Sequence, residues 1–252
     1  MIGLLLLMSI ATVSTQGPGN ESEDANISVE NDNIAIKITG GQNVPMFTFW
    51  DPAEEDVKYD VKFILLFEAV DGNANGEYDK SDDSKVPAST EALPSMSWEF
   101  SNLTQSDDGK SHFNIYSVGG PFSVQFLNHL GDNGSLKFDI KVSGYEFISS
   151  EDDAMLVLGF KLHAKRQGTQ LQERNQTRDR NESKQVNFGE NAHFSSQTQA
   201  QDQNGNITVG VSKGESQGNQ MAYISYERFN GTLVHDPEIG IGGGVDAQNG
   251  IP

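Results

Sequence analysis

Residues 71–82, DGNANGEYDKSD, carry oxygen-bearing side chains at the spacing of a calcium loop. The pattern D-x-[DN]-x-[DN]-G wraps a short chain around one ion, with hard oxygens at alternate positions and a glycine for the sharp turn. Asp71, Asn73 and Asn75 would supply the first side-chain oxygens, and Gly76 the turn. Glu77 would offer its backbone carbonyl, Asp79 would ligate directly or through water, and Asp82 would close the shell. Calcium takes roughly six to eight such oxygens in a flexible geometry. An aspartate stands in the closing position, where the usual loop has a longer, bidentate glutamate. The preceding residues, VKFILLFEAV, alternate like a strand, so this is not a helix-loop-helix unit. Both features predict weak calcium binding of the extracellular type, with a Kd of about 10⁻⁴ to 10⁻³ M. The competing interpretation is a solvated loop of good turn formers. A second run from Asp202 fails the pattern, because Ile207 stands where glycine is needed and Lys213 where the closing acid is needed.

Further acidic groups fall between the apolar runs and are expected on loops: Glu54, Glu55 and Asp56; Asp82 and Asp83; Asp107 and Asp108; Glu151, Asp152 and Asp153. Each alone serves solubility. Together they are candidates for a surface that faces a mineral or another cationic phase, provided that at least two groups share one end of the molecule. Motifs of catalysis are absent: there is no G-x-S-x-G, no phosphate loop and no paired-histidine zinc motif. His112, His129, His163, His193 and His235 are dispersed with no ligand spacing, and Trp50 and Trp98 lie in alternating runs as core candidates. A binding protein is therefore expected rather than an enzyme. A glycosidase-like carboxylate pair stays open, since its spacing is set in space and not along the chain.

The elements that must position these groups are strands. Apolar and polar residues alternate in IAIKI (34–38), MFTFW (46–50), VKYDVKFILLFEAV (57–70), MSWEF (96–100), HFNIYSV (112–118) and FSVQFL (122–127). The pattern continues in SLKFDIKVSGYEF (135–147), AMLVLGFKLHA (154–164), HFSSQTQA (193–200), ITVGVS (207–212), MAYISYERF (221–229) and TLV (232–234). Period-two runs bounded by Gly, Asn, Asp and Pro predict an all-β fold, an antiparallel β-sandwich. The organisation expected is a flexible acidic arm at 17–33, a domain over 34–241 with an exposed polar insertion at 165–184, and a flexible tail at 242–252. Within the insertion Lys165-Arg166 is expected as a solvated strand end, with proteolytic processing as the alternative.

Residues 3–13, GLLLLMSIATV, are too short an apolar run to span a bilayer, and small residues follow. Residues 1–16 are therefore expected to be a secretory signal peptide, which places the protein outside the cell. IGIGGGVDAQNGIP at 239–252 has no hydrophobic tail, so no lipid anchor is expected. The chain contains no cysteine, which excludes thiol chemistry and leaves packing, sheet pairing or metal to hold it. Its net charge of −19 makes nucleic acid and anionic membranes poor partners. N-x-S/T sequons begin at Asn20, Asn26, Asn102, Asn133, Asn175, Asn181, Asn206 and Asn230, so a glycoprotein is expected. Asn133-Gly134 and Asn230-Gly231 are also the dipeptides that favour tight hairpins.

The segments IAIKITGGQNVPMFTFWD (34–51), SWEFSNL (97–103), VLGFKLHAK (157–165) and LVHDPEIGI (233–241) resemble the acidic skeletal organic matrix proteins of stony corals, a group that includes the aspartic-acid-rich coral proteins. The resemblance covers most of the chain beyond the signal. It implies a secreted protein of a calcifying matrix, associated with calcium carbonate or other matrix components. One departure stands out: that group carries long Asp runs, whereas the longest acidic run here is that of Glu54–Asp56 or Glu151–Asp153, and the insertion at 165–184 is basic. That favours a mild matrix role over strong mineral nucleation. A carbohydrate-binding β-sandwich that grips matrix polysaccharide is the alternative.

Overall fold

The computed structural model describes residues 26–40, 45–106, 110–130, 134–166, 169–170, 176–180, 183–216 and 219–242. Along the chain the strands are β1 (Asn26–Glu30), β2 (Ala35–Thr39), β3 (Met46–Trp50), β4 (Val57–Val70), β5 (Ser84–Lys85), β6 (Glu91–Ala92) and β7 (Ser97–Phe100). They continue as β8 (Thr104–Gln105), β9 (Ser111–Val118), β10 (Ser123–Leu130), β11 (Ser135–Ser143), β12 (Ala154–Arg166), β13 (Thr169–Gln170) and β14 (Gln176–Arg180). The last are β15 (Ser183–Phe188), β16 (Ala192–Gln197), β17 (Gln199–Asp202), β18 (Gly205–Ser216), β19 (Asn219–Glu227), β20 (Thr232–His235) and β21 (Glu238–Ile241). Two short 3₁₀ turns precede β7. Among the described residues no helix is long and apolar enough to cross a membrane.

All pairings are antiparallel and form two layers. The first runs β1–β2–β3–β4–β12–β19–β18, with β5 and β6 on the far half of β4. The second runs β7–β9–β10–β11 and then forks. One branch is β20 and β17, the other β21, β16, β15 and β14. The fork opens where Pro237 interrupts the last strand, between β20 and β21. β18 joins the layers: its first residues pair with β17 and its later ones with β19.

Between the layers lies an aromatic core. Phe47 and Phe63 of the first sheet meet Phe126 and Phe138 of the second, with Phe63 and Phe126 stacked 4.7 Å apart and Phe47 and Phe138 stacked 5.5 Å apart. Phe160 meets Phe194 at 4.6 Å. Such ring pairs add about 0.5–1.5 kcal/mol each beyond area burial. Trp98 is buried here and donates its indole N–H to the Leu93 carbonyl, whereas Trp50 is half-buried under Lys58, so only one of the two tryptophans is core.

β4 explains how one strand serves two faces. Its register with β12 slips at Gly159/Phe160, where Leu65 pairs with Gly159 and Phe63 with Phe160, so that Ile64 is the extra residue. A bulge of this kind reverses the alternation. Before it Tyr59, Val61 and Phe63 face the core; after it Leu66 does, while Phe67 and Ala69 turn outward. The outward residues join Tyr78, Met155 and Val157 in a second, smaller cluster on the outer face of the first sheet.

Three expectations change. β1 lies within the segment expected as an acidic arm at 17–33: it pairs along its whole length with β2 and buries Ile27 and Val29. Those two apolar residues alternate with polar ones, a pattern masked by the acidic composition around them. Within the insertion at 165–184, the described parts are strands: β14 and β15 form a hairpin on the edge of the second sheet. Edge strands are commonly charged, which blocks pairing with other chains, and QTRDR fits that rule. Asn230-Gly231 does not make a hairpin. Gly231 takes a positive φ of 73°, but the chain there crosses from β19 in the first sheet to β20 in the second. At the other dipeptide β10 and β11 do pair as a hairpin, with Gly134 at φ 73°.

Candidate functional site

Residues 71–83 connect β4 to β5 and fold back over the outer face of the first sheet. Tyr78 anchors the loop. Its ring meets Phe67 and Tyr223 at 4.9 and 5.0 Å, its N–H donates to Ser225 Oγ at 2.9 Å, and its carbonyl accepts from Ser212. Burial pushes its phenol pKa up. The loop backbone lies against β18 so closely that a Cβ on Gly210 would stand 2.0 Å from the Gly76 carbonyl oxygen. Glu77 is ion-paired with Lys184 of β15.

Within the loop the side chains turn inward. Asp71 accepts from the amides of Asn73 and Asn75 at 3.3 Å and of Gly76 at 2.7 Å. Asn73 Oδ1 accepts from Asn75 N at 3.1 Å, and Asn75 Oδ1 from Glu77 N at 2.8 Å. Asn73 Nδ2 reaches Asp82 Oδ2 at 3.4 Å, which brings the third and last motif positions together. Asp79 instead bonds the hydroxyl and amide of Ser81, which hold its pKa below the ordinary carboxylate value. Asp83, expected from the sequence in a mineral-facing cluster, is engaged by the loop backbone: one carboxylate oxygen accepts from Gly72 N at 2.9 Å and the other from Asp79 N at 2.6 Å. It clasps the two ends of the loop. Ala74 holds a left-handed φ of 58°, and Gly76 one of 73°.

The donors are carboxylates, amide oxygens and a backbone carbonyl, a hard set that suits calcium rather than a thiophilic ion. An oxygen that accepts one amide hydrogen keeps a lone pair for a cation. Among the described residues no three His, Asp or Glu side chains converge as a metal-ligating group. A calcium shell here would therefore lean on Asn73, Asn75 and the Glu77 carbonyl besides Asp71 and Asp82.

The acidic groups separate by end. Asp71 N donates to the Asp153 carbonyl at 3.2 Å, and Val70 pairs with Ala154, so the loop with Asp82 and Asp83 shares one end with the exposed turn Glu151–Asp153. Glu54, Glu55 and Asp56 lie at the opposite end of β4, roughly 40 Å away along the strand. There Arg166 reaches Glu54 at 3.3 Å, Asp56 at 3.4 Å and Glu190 at 3.0 Å, and neighbouring Lys165 reaches Asp60 at 3.1 Å. The dibasic pair is thus a strand end held by acids. Asp107 and Asp108 lie outside the described residues.

Of the sequons, Asn102, Asn206 and Asn230 are exposed, and Asn26 begins β1. Asn230 N donates to Asp202 Oδ2 at 2.9 Å, and Asp202 also accepts from Asn204 and Gly205, next to Asn206. The sequon residues Asn206 and Asn230 therefore share one corner. Asn20, Asn133, Asn175 and Asn181 lie outside the described residues, as does the segment 1–16 expected as a signal peptide.

Two features have no counterpart in the sequence reading. A polar cavity of about 260 Å³ opens at the fork of the second sheet, lined by Gln197, Gln199, Gln201, Asn206, His235 and Asp236 among others. His112 and His129, 17 residues apart in sequence, face each other across β9 and β10. The glutamines would be visible only to a reader who knew that β16 and β17 part at Thr198, and the histidines only to one who knew the register.

A comparison with protein-family models gives no match, and neither does one with curated proteins.

Proposed function

We propose that this is a secreted acidic matrix protein that binds calcium and associates with calcium carbonate, acting by adsorption and not by catalysis. The single observation that carries the reading is the junction of the loop at 71–83 with the turn at Glu151–Asp153. It gathers Asp71, Asn73, Asn75, Asp79 and Asp82 beside three exposed carboxylates on one end of the sandwich. The resemblance to coral skeletal matrix proteins, the sequons and the net charge of −19 point the same way.

The test is calorimetry with calcium on the full secreted chain. Wild type is expected to bind one ion in the loop with a Kd of about 10⁻⁴ to 10⁻³ M. Asp71→Ala and Asp82→Ala are each expected to lose it. If wild type and both variants titrate alike, the loop is only a turn.

A carbohydrate-binding reading has its own support in the polar cavity at the fork, whose amide side chains could bond sugar hydroxyls. Among the described residues its lining includes no Trp, Tyr or Phe ring on which a sugar would stack, which places it second. Selective binding on a glycan array, abolished in Gln199→Ala and Gln201→Ala, would reverse that order.

A further inference from the structure

We propose that His112 and His129 form a site for a divalent transition-metal ion on the outer face of the second sheet, separate from the carboxylate loop. The two residues are direct partners in the β9–β10 register, and their side chains lie on the face opposite the core residues Phe113, Ile115, Phe126 and Leu130. Their Nδ1 atoms stand 2.7 Å apart, with the ring planes at 76°. Both remaining ring nitrogens already have partners. His112 Nε2 is 3.0 Å from Ser106 Oγ, and His129 Nε2 is 3.7 Å from Asp139 Oδ2 on β11.

Once the proton between the two Nδ1 atoms is displaced, that arrangement meets what a metal-binding imidazole requires. The metallated nitrogen must be bare, and the other nitrogen carries a proton that a hydroxyl, carbonyl or carboxylate accepts, which fixes tautomer and ring orientation. Here Ser106 lies at hydrogen-bond distance from His112 Nε2, Asp139 stands within ion-pair reach of His129 Nε2, and the two Nδ1 atoms converge. A zinc–nitrogen bond is about 2.0–2.1 Å, so two imidazoles on one tetrahedral ion sit about 3.3 Å apart. Reaching that separation from 2.7 Å takes a shift of only about 0.3 Å by each ring, well within a side-chain adjustment. His129 keeps 39% of its side chain exposed, so an ion can enter from solvent without opening the fold. Imidazole suits zinc, copper and nickel, whereas calcium prefers oxygen, so the two sites select different ions. Among the described residues no third His, Asp or Glu completes the group, and water would fill the other positions.

The competing state is a proton shared between the rings with no metal. Titration of the full chain with zinc ion, in excess calcium to occupy oxygen sites, separates the two. One zinc is expected in wild type, lost in His112→Asn and in His129→Asn, and bound about tenfold more weakly in Asp139→Asn. Equal zinc binding by wild type and the double histidine variant would overturn the proposal. Should the variants misfold, copper(II) spin resonance on wild type decides alone. Hyperfine splitting from two equivalent nitrogens supports the site, and oxygen-only coordination refutes it.

Discussion

His235 is a neutral base held inside the second sheet. It is 1% exposed, and its Nε2 lies 3.2 Å from both the Gln197 carbonyl and Ser196 Oγ. The carbonyl can only accept, so Nε2 carries the proton and Nδ1 accepts from Tyr226, 3.1 Å away. Burial, against a smaller opposing effect of the Gln197 carbonyl, lowers its pKa from 6.5 to about 4. The unfolded chain therefore takes up a proton in this range before the folded one does. The stabilisation is complete above pH 6.5 and is lost as pH falls towards 4, by about 3 kcal/mol across that window. Thermal melts from pH 7 to 4 are expected to show this loss, and His235→Gln to flatten it. An unchanged pH profile in that variant would mean that other groups control the acid limb. His193, likewise lowered by burial, adds in the same direction. At this scale motif spacing, being local, was enough to expect Asn73, Asn75 and Asp82 in one loop, where Asn73 meets both of the others. It could not assign Asp83 as a clasp or pair His112 with His129, since those roles depend on a backbone amide and a strand register.

The loop at 71–83 is an element docked on another element, and the fit is made by absent side chains. Gly210 lets the Gly76 carbonyl lie on β18, and Gly72 lets the Asp82 carbonyl approach within 2.2 Å of where a Cβ would be. Gly210→Ala is expected to push the loop off the sheet, with an overpacking cost of about 1–3 kcal/mol. Calcium affinity should fall with it, although no proposed ligand is touched. A variant with normal stability and normal calcium titration would show that docking and binding are unconnected. Most strands were legible in the alternation: β3 and β4 begin and end where the pattern does. Within β4 the apolar run FILLF departs from strict alternation, because the bulge at Ile64 and the cover of Tyr78 supply a second buried face. β14 escaped because an edge strand needs little apolar content, and β15 because only Val186 and Phe188 of its six residues are apolar.

For the molecule as a whole, a net charge of −19 acts over short distances only. The Debye length is about 10 Å at 0.1 M salt and about 3 Å at 1 M, so distant carboxylates are screened in a saline fluid. Adsorption to a crystal face then depends on carboxylates that touch it. The end bearing the loop and Glu151–Asp153 presents them exposed, while the end bearing Glu54–Asp56 has Arg166 among its acids. Converting Glu151, Asp152, Asp153, Asp79 and Asp82 to amides is expected to abolish adsorption to calcium carbonate at high salt. Converting Glu54, Glu55 and Asp56 is expected to leave most of it. Equal losses from both sets would mean that adsorption follows total charge and not contact.

β18 is one strand in two sheets, and this has a consequence for how a cysteine-free protein comes apart. Gly205 to Thr208 are bonded into the second layer and Val209 to Ser216 into the first, with no break in the chain between them. Neither layer can peel away while β18 keeps both sets of bonds, so the sandwich is sewn by its own backbone where disulfide-bearing domains are stapled by sulfur. Amide hydrogen exchange should reveal the seam. The protected amides of β10 in one layer and of β12 in the other are expected to exchange with the same opening free energy, as a single cooperative unit. Two clearly separate values would mean that the seam opens before the cloth does.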